Sequence, residues 1–322
     1  MSDFTQTLIT AIAIGSLYAL IALGYTMVYG ILKFINFAHS DIVVLGAWSS
    51  YTFSNWLLKL IGVETKGMTT PPAIWVAVVV LVLSMAFCGV VGFTIERLAY
   101  RPLRRAPRLN VLITAIGVSL LLQNVGQLDQ VFGASPQKMP QLLPAAELAS
   151  FTFGEGESAR KVVIGLVDVM IFVTASSLML LMQYLVFHTK QGVAMRAVSY
   201  NTDTAALMGI PVDRVVSITF VLGSVLAAAA GFLYVMKYPS LNQPAHTIWV
   251  LLGLKAFVAA VIGGIGNVRG AVLGGFVIAF VEQFGAFYIS TNYRDVYVFV
   301  MLILILLVRP GGLLGVTTRE KV

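Results

Sequence analysis

The sequence predicts an all-α fold: a polytopic membrane bundle of about eight or nine transmembrane helices, formed by residues 1–322 as a single transmembrane domain. Of these residues 58% are hydrophobic and only 11% are charged, and the mean hydropathy is +0.90. A soluble domain carries about 25% charged residues, so this chain is too apolar to cover its own surface in water. Apolar runs close to the ~20 residues that a helix needs to cross ~30 Å of hydrocarbon recur along the chain. A membrane β-barrel would instead show alternating segments of about ten residues.

The predicted spans are the long apolar segments, at 7–30, 40–61, 72–96, 110–131, 162–187, 215–236, 247–266, 270–290 and 295–308. The count is eight or nine because the glycine-rich segment 247–266 and the short segment 295–308 can each be a partial or tilted helix. No basic region precedes the first span, so we expect a retained helix rather than a cleaved signal peptide.

Basic residues predict the orientation, because lysine and arginine are retained in cytoplasmic loops. The loop after the third span holds five arginines between Arg97 and Arg108. Placing it in the cytoplasm puts thirteen basic residues on that side and seven outside. The N-terminus is then outside and the C-terminus cytoplasmic. We assign the net charge of +7 to membrane topology, so the bilayer is the expected partner and nucleic acid is not.

The residues argue against chemistry carried out by this chain itself. Cys88 is the single cysteine and lies in an apolar run, which excludes an intrachain disulfide and a cysteine metal site. No GxxxxGK[ST] loop, HExxH motif or cluster of metal ligands occurs. The longest outer stretch, 132–161, contains three prolines and is predicted to be an irregular loop with at most one short helix. We therefore expect no catalytic residues, no metal and no bound cofactor.

A polar break, KFINFAHSD at residues 33–41, separates the first two spans. Asn36, His39, Ser40 and Asp41 can cap the second span or satisfy unwound backbone near the cytoplasmic face. A role in gating or at a subunit interface is the alternative. We do not expect a catalytic histidine, because no nucleophile or second base lies at a recognisable spacing.

The cytoplasmic loop 188–214, HTKQGVAMRAVSYNTDTAALMGIPVDR, is too polar to span the membrane. Asn201 or Thr202 can cap a short helix, with Asp203 favourable at its positive end. Gly209 can end that helix in the left-handed conformation, and Pro211 prevents its resumption. The helix would show small and apolar side chains to the cytoplasm. Such a surface either docks a partner or lies on the membrane face.

The segment 253–275, GLKAFVAAVIGGIGNVRGAVLGG, predicts a tight reversal between two closely packed spans, since glycines cluster at 263, 264 and 266. The Gly264-x-Gly266 pattern is only weak support for a dinucleotide-binding loop, because membrane spans, not a βαβ unit, flank it. Lys255 and Glu282 lie inside apolar segments, where ionisable groups are costly. Lys255 can snorkel to the outer interface, whereas Glu282 is the better candidate for an interior polar contact.

A polar stripe lies near the outer end of the fourth span, at Gln123, Asn124, Gln127 and Asp129. It is compatible with a transport pathway and equally with a helix contact.

Several motifs occur together in one order: GSLYALIALGYTMVYGI with INFAH, ERLAYRPLR, GVAMRAVSYNTDTAALMGI, GLKAFVAAVIGGIGNVRGAVLGG and YRDVYVFVMLILILLVRPGGLLG. In these motifs the chain resembles, end to end, the permeases of branched-chain amino acid ABC importers of the LivH type. One local departure is Ser40, where the family usually has glycine.

The resemblance implies a subunit of the bacterial inner membrane that pairs with a second, LivM-like permease. Two ATPase subunits, which hold ATP and Mg, would dock beneath, and a periplasmic binding protein would deliver substrate. The implied docking residues are Arg196, Asn201, Asp203, Ala205, Ala206, Leu207, Met208, Gly209 and Ile210. The candidates for the translocation pathway or gate are Asn36, His39, Gly263, Gly264, Gly266 and Glu282. We expect a pathway of mainly small and apolar residues, with specificity held by the binding protein.

Three other functions stay open on the sequence alone. The same machine can carry urea, an amide, a sugar or other amino acids. From another class, the chain can be a self-contained secondary transporter or channel. A membrane-embedded enzyme is the least supported, because no catalytic constellation is present.

Overall fold

The computed structural model describes residues 2–63, 71–104, 106–144, 146–153 and 160–315. Its α-helices are α1 (Ser2–Leu32), α2 (His39–Leu60), α3 (Ile74–Ile95), α4 (Arg108–Gly126), α5 (Leu166–His188), α6 (Lys190–Tyr200), α7 (Thr202–Leu207), α8 (Val212–Lys237), α9 (Thr247–Gly263), α10 (Val268–Tyr288) and α11 (Arg294–Val308). A π-helical turn (Glu96–Tyr100) and a 3-10 turn (Arg101–Leu103) extend α3, and a second 3-10 turn (Thr291–Tyr293) precedes α11. The strands are β1 (Gln137–Lys138), β2 (Glu147–Phe153), β3 (Arg160–Gly165) and β4 (Ser240–Leu241).

The predicted fold class is confirmed, because each predicted span has an α-helix at its position. Seven helical segments of the described chain are long and apolar enough to cross a membrane: Asp3–Leu32, Ile74–Leu103, Leu109–Gly126, Leu166–His188, Val212–Lys237, Val268–Tyr288 and Thr291–Val308. Of the other two helices at predicted spans, α9 is apolar but has only 17 residues, and α2 has 22 residues but many polar ones. The polar side of α2 is inside the bundle, where Ser50 bonds to Ser84 of α3 at 2.9 Å.

The centre of the bundle is formed by α1 and α8, whose most apolar stretches are 78% and 72% buried. Small residues allow this packing. Gly275 of α10 lies so close to Ala19 of α1 that a Cβ would overlap its backbone, and Gly46 of α2 lies equally close to Ala228 of α8. In contrast, most residues in the apolar stretches of α4, α5 and α11 are not buried inside the bundle. They present apolar surface to lipid or to another chain.

The prediction of an irregular loop with at most one short helix at 132–161 is wrong for the residues described there. β2 and β3 pair in antiparallel orientation with Ser150 opposite Val163, and β1 pairs with β4 from the loop after α8. Pairing with β2 holds residues 160–165 extended, so the fifth span begins at Leu166 rather than at residue 162. The loop 188–214 also holds more helix than expected, since α6 precedes the predicted short helix.

The two ends of the bundle are distinct. At the α6–α7 end, Ser199 of α6 donates to the Gly30 carbonyl in the last turn of α1 at 2.6 Å. At the opposite strand end, the Val163 N–H of β3 donates to Gln6 of α1 at 2.9 Å. Those basic residues assigned to the cytoplasm that the structure describes belong to segments at the α6–α7 end. Four of the basic residues used for the orientation lie outside the described part of the chain, as does the C-terminus itself: Lys66, Arg105, Arg319 and Lys321.

Candidate functional site

The short helix α7 has the caps that the sequence predicts. The Asn201 side-chain oxygen accepts a hydrogen bond from the Thr204 N–H at 2.9 Å, which satisfies a free donor of the first turn. Gly209 has a φ of +81°, and its N–H bonds to the Ala206 carbonyl at 3.0 Å. After Pro211 the chain enters α8 at Val212. The N-cap at Asn201 and the left-handed end at Gly209 are confirmed.

The apolar side chains of α7 are exposed on one side only. Leu207 is 88% exposed and Met208 79%, and Ala206 and Gly209 are exposed beside them. Ala205 is only 4% exposed and belongs to the hydrophobic core, because the helical period turns it towards the bundle. The predicted docking surface therefore consists of the side chains after Ala205, and Ala205 itself anchors the helix.

The other docking candidates occupy different surroundings. Asn201 and Asp203 are exposed at the start of α7. Ile210 is half-buried and packs against the core. Arg196 lies on α6 rather than α7, with its guanidinium 5.5 Å from the centre of the Phe187 ring.

An ion network joins the first turn of α8 to the extension of α3. The Asp213 carboxylate pairs with Arg101 and Arg104. Arg104 also pairs with Glu96, whose side chain is fully buried, and Ser217 of α8 donates to Glu96 Oε2 at 2.6 Å. Because α7 leads directly into α8, this α3–α8 ion network connects α7 to α3. Arg101 and Arg104 contributed to the predicted orientation, but their partners could not be identified from the sequence.

No side chain of the polar break caps α2, contrary to the capping interpretation. The N-cap residue is Ala38, which makes no side-chain cap bond. Asn36 is buried and instead accepts a 2.7 Å hydrogen bond from Tyr100 of the π-helical turn. Ser40, the departure from the family pattern, faces Gly253 of α9, which leaves room for its side chain. The break is thus packed by contacts to α3 and α9.

His39 is also interior. It is the first residue of α2, its ring lies 4.5 Å from that of Tyr25, and Gly24 lacks the Cβ that would overlap it. Two residues on, Asp41 accepts a 2.9 Å hydrogen bond from Gln123 of α4. At Gln123, therefore, the polar stripe of α4 makes a helix contact.

The glycine-rich segment forms the predicted tight reversal between α9 and α10. Gly264 and Gly266 have φ of +102° and +95°, which glycine adopts at least cost. Gly263 lies against the backbone of Gly270, and its carbonyl accepts a 3.0 Å bond from the Leu314 N–H. The stretch 309–315 thus folds back onto the turn, a contact that the sequence did not indicate. Of the three candidate glycines, Gly266 alone borders a described cavity, of about 60 Å³.

Glu282 is the buried acceptor at the centre of a charged cluster in the half of the bundle nearer the strand end. Lys255 Nζ lies 3.0 Å from Glu282 Oε1 and 2.6 Å from Asp295 Oδ1. The Tyr18 hydroxyl donates to Glu282 Oε2 at 2.7 Å, and Arg294 Nε lies 3.5 Å from Oε1. The predicted interior contact of Glu282 is confirmed. The snorkelling interpretation of Lys255 is wrong, because its ammonium is paired inside the bundle.

These charges line a cavity of about 270 Å³, together with Tyr234, Tyr238 and Gln283. Gln283 is buried, and its amide nitrogen has no hydrogen-bond partner in the described structure. The Arg294 and Asp295 side chains are 41% and 45% exposed, so the cavity opens towards the strand end. It offers donors and acceptors of both charges to a small polar or zwitterionic molecule.

Comparison with known proteins identifies the family. The family model described as the permease component of the branched-chain amino acid transport system matches residues 7–308. The permease protein BraD of a high-affinity branched-chain amino acid transport system, from Pseudomonas aeruginosa, is 40% identical over 99% of this chain and 98% of its own. LivH from Escherichia coli, with the same description, is 38% identical over the same shares.

A more distant relative is the ribose import permease protein RbsC of Escherichia coli, which is 27% identical over 39% of this chain and 40% of its own length. The likeness to the branched-chain permeases extends from end to end, whereas the likeness to this sugar permease is partial. The chain belongs to the family of branched-chain amino acid transport system permease components.

Proposed function

We propose that this chain is the permease subunit of an ABC importer that moves leucine, isoleucine, valine or a related amino acid across the bacterial inner membrane. The observation that carries the proposal is the match at 38–40% identity over 99% of the chain to permeases described as high-affinity for branched-chain amino acids. A sugar importer is the second candidate, which the partial likeness to the ribose permease favours. The chain itself performs no covalent step.

In this assembly two ATPases, carrying ATP and Mg, dock at the α6–α7 end. The supporting feature is the exposed apolar surface of α7 at Ala206, Leu207 and Met208, since such a surface fits an apolar groove on a partner. Asn201 holds the start of the helix, Asp203 lies in its first turn, and Gly209 and Ile210 return the chain to the bundle. The α6–α7 end is then cytoplasmic, with the N-terminus outside, as the distribution of basic residues supports.

Movement of α7 would be transmitted through the α3–α8 ion network. Asp213 follows α7 closely along the chain and pairs with Arg101 and Arg104, and Glu96 connects the same network to Ser217. A closing ATPase dimer would therefore displace α8 and the extension of α3 together. Asn36 bonds to that extension through Tyr100, so the polar break with His39 would move with it as part of the gate.

A second, LivM-like permease would complete the pathway, and a binding protein would deliver substrate at the strand end. The cavity at Glu282 opens towards that end and supports a place for Glu282 along the path. The turn at Gly263, Gly264 and Gly266 lies at the other end, where its tight packing suits a boundary of the gate.

Reconstitution tests this function. The chain is purified with its co-encoded permease, ATPases and binding protein, and uptake of labelled leucine into proteoliposomes is measured with and without ATP. We expect uptake only with all components and ATP, and no ion-driven flux by this chain alone. Flux by the chain alone would indicate a secondary transporter. High affinity of the binding protein for urea or ribose, without leucine or isoleucine, would overturn the substrate assignment.

A further inference from the structure

A groove of about 500 Å³ runs along the outside of the bundle between α5 and α10. Phe172, Met179 and Leu180 of α5 line one side, and Val272 and Phe276 of α10 line the other. One end is polar, because Arg269 borders it in the first turn of α10. The groove is therefore apolar along most of its length and cationic at one end, its mouth, which lies at the α6–α7 end.

The length of the groove along α5 corresponds to the thickness of one leaflet of a bilayer. Its lining on α5 extends from Phe172 to Gln183, which at ~1.5 Å per residue is ~16 Å, about half of the ~30 Å of hydrocarbon. Arg269 then lies near the level of the headgroups. A transmembrane helix of a partner would run the full thickness of the membrane, whereas this groove ends about half-way.

Two cations without a counter-ion in the described structure lie near this end: Arg269 borders the mouth of the groove, and Arg196 lies beyond the groove lining, beside the same Phe187 ring. The Arg269 guanidinium lies 5.2 Å from the centre of the Phe187 ring, and that of Arg196 from α6 lies 5.5 Å from the same centre. Neither arginine takes part in any ion pair among the described residues. An anion that contacts both guanidinium groups would offset their mutual repulsion, and guanidinium binds phosphate with paired hydrogen bonds.

We propose that this groove binds one anionic phospholipid of the leaflet at the α6–α7 end, with the phosphate on Arg196 and Arg269 and an acyl chain against Leu180, Val272 and Phe276. Basic pockets between transmembrane helices bind lipid headgroups by this combination of charge and apolar depth. Gln183 lies between the mouth and the apolar part of the groove, where its amide can donate a hydrogen bond to an ester carbonyl of the lipid. A bound headgroup would tie α6 to α10 and so support the base of α7.

The site is tested by native mass spectrometry of the full-length, delipidated protein titrated with phosphatidylglycerol or phosphatidylcholine. We expect one tightly bound phosphatidylglycerol, preferred about 30-fold over phosphatidylcholine, the effect of two arginines near the surface. Arg196→Gln with Arg269→Gln should abolish the preference. Arg214→Gln is the matched control, because Arg214 is also exposed at this end and unpaired in the described structure but lies neither at the groove nor at the Phe187 ring. It should keep the preference.

A second variant tests the apolar part of the groove. Leu180→Trp fills the groove from an exposed position and should weaken binding of both lipids, while inorganic phosphate should compete poorly with the intact lipid. An unchanged lipid preference in the double arginine variant would overturn the site, and so would equal competition by phosphate. Cross-linking of the Leu180→Cys variant to a second permease would assign the groove to a partner helix instead and overturn the lipid site. None of these outcomes depends on the identity of the transported substrate.

Discussion

Lys255 of α9 and Glu282 of α10 form an ion pair of 3.0 Å inside the bundle, with side chains 8% and 3% exposed. Both charges lie in apolar segments, where each alone would be strongly disfavoured. Asp295, Arg294 and Tyr18 complete the surroundings of the pair, so the three-helix unit α9–α10–α11 is held together by charge as well as by packing.

Removal of one partner of this pair should destabilise the protein more than removal of both partners. Breaking a buried pair costs ~3–5 kcal/mol because the other charge is left uncompensated, whereas apolar replacement of the whole pair is often neutral. We expect Lys255→Met to lower the thermal unfolding midpoint in detergent, and Lys255→Met combined with Glu282→Leu to recover part of the loss. A double-mutant cycle provides the measurement. Strictly additive losses would contradict the pairing.

Transport should depend on the charge of Glu282 separately from its hydrogen bond. Glu282→Gln keeps an acceptor for Tyr18 but removes the carboxylate charge, and we expect ATP-driven uptake to fall about tenfold or more, equivalent to ~1.4 kcal/mol. Recovery of the assembled complex should fall less than uptake, so uptake is compared per amount of assembled complex. Tyr18→Phe is the control, because it removes the hydrogen bond but keeps the charge. Normal uptake by Glu282→Gln would return the residue to a purely structural role.

In the α3–α8 ion network, two arginines that pair with the same Asp213 should differ in importance. Arg104 also neutralises the fully buried Glu96, so Arg104→Gln should destabilise the protein by ~3–5 kcal/mol. Arg101 makes a largely exposed pair, and Arg101→Gln should cost ~0–1 kcal/mol. Unfolding of the two variants in the same detergent gives the comparison, and addition of Glu96→Gln should partly rescue Arg104→Gln. Equal effects of the two variants would refute a special role for Glu96.

A charge on the exposed side of α7 should prevent docking. Ala206→Asp places a carboxylate that would have to be desolvated in an apolar groove, at a cost of ~2 kcal/mol or more. We expect loss of ATPase co-purification with normal membrane insertion. Asn292→Asp, on an exposed residue at the strand end, is the matched control and should leave recovery unchanged. If Ala206→Asp retains the ATPases, the docking surface lies elsewhere.

The glycine turn should tolerate no side chain at its closest approach. A Cβ at Gly263 would overlap the backbone of Gly270, and α9 and α10 would have to separate. We expect Gly263→Ala to reduce the yield of folded protein severely. Gly117→Ala is the matched control, since open space surrounds Gly117 in α4 and alanine favours a helix by ~1 kcal/mol. Size-exclusion profiles and melting curves of both variants test the difference.

The sequence by itself determined the features that depend on neighbouring residues. Span positions follow from the length of apolar runs, and the start and end of α7 follow from Asn201 and Gly209, because capping involves residues three or four apart. The family motifs are equally local. These predictions needed no knowledge of which helices lie side by side.

Only the tertiary structure decided the partners. Arg104 and Asp213 are 109 residues apart in the chain, and β1 pairs with a strand that follows α8. The tertiary structure also turned Ala205 towards the core. It paired Lys255 with Glu282, although snorkelling of Lys255 was an equally good expectation. The physical reason is that an isolated charge or a short extended segment has several acceptable environments. The packing of helices that are distant in the sequence selects one of these environments, in which the group is buried from water and its charge or hydrogen bonds are paired.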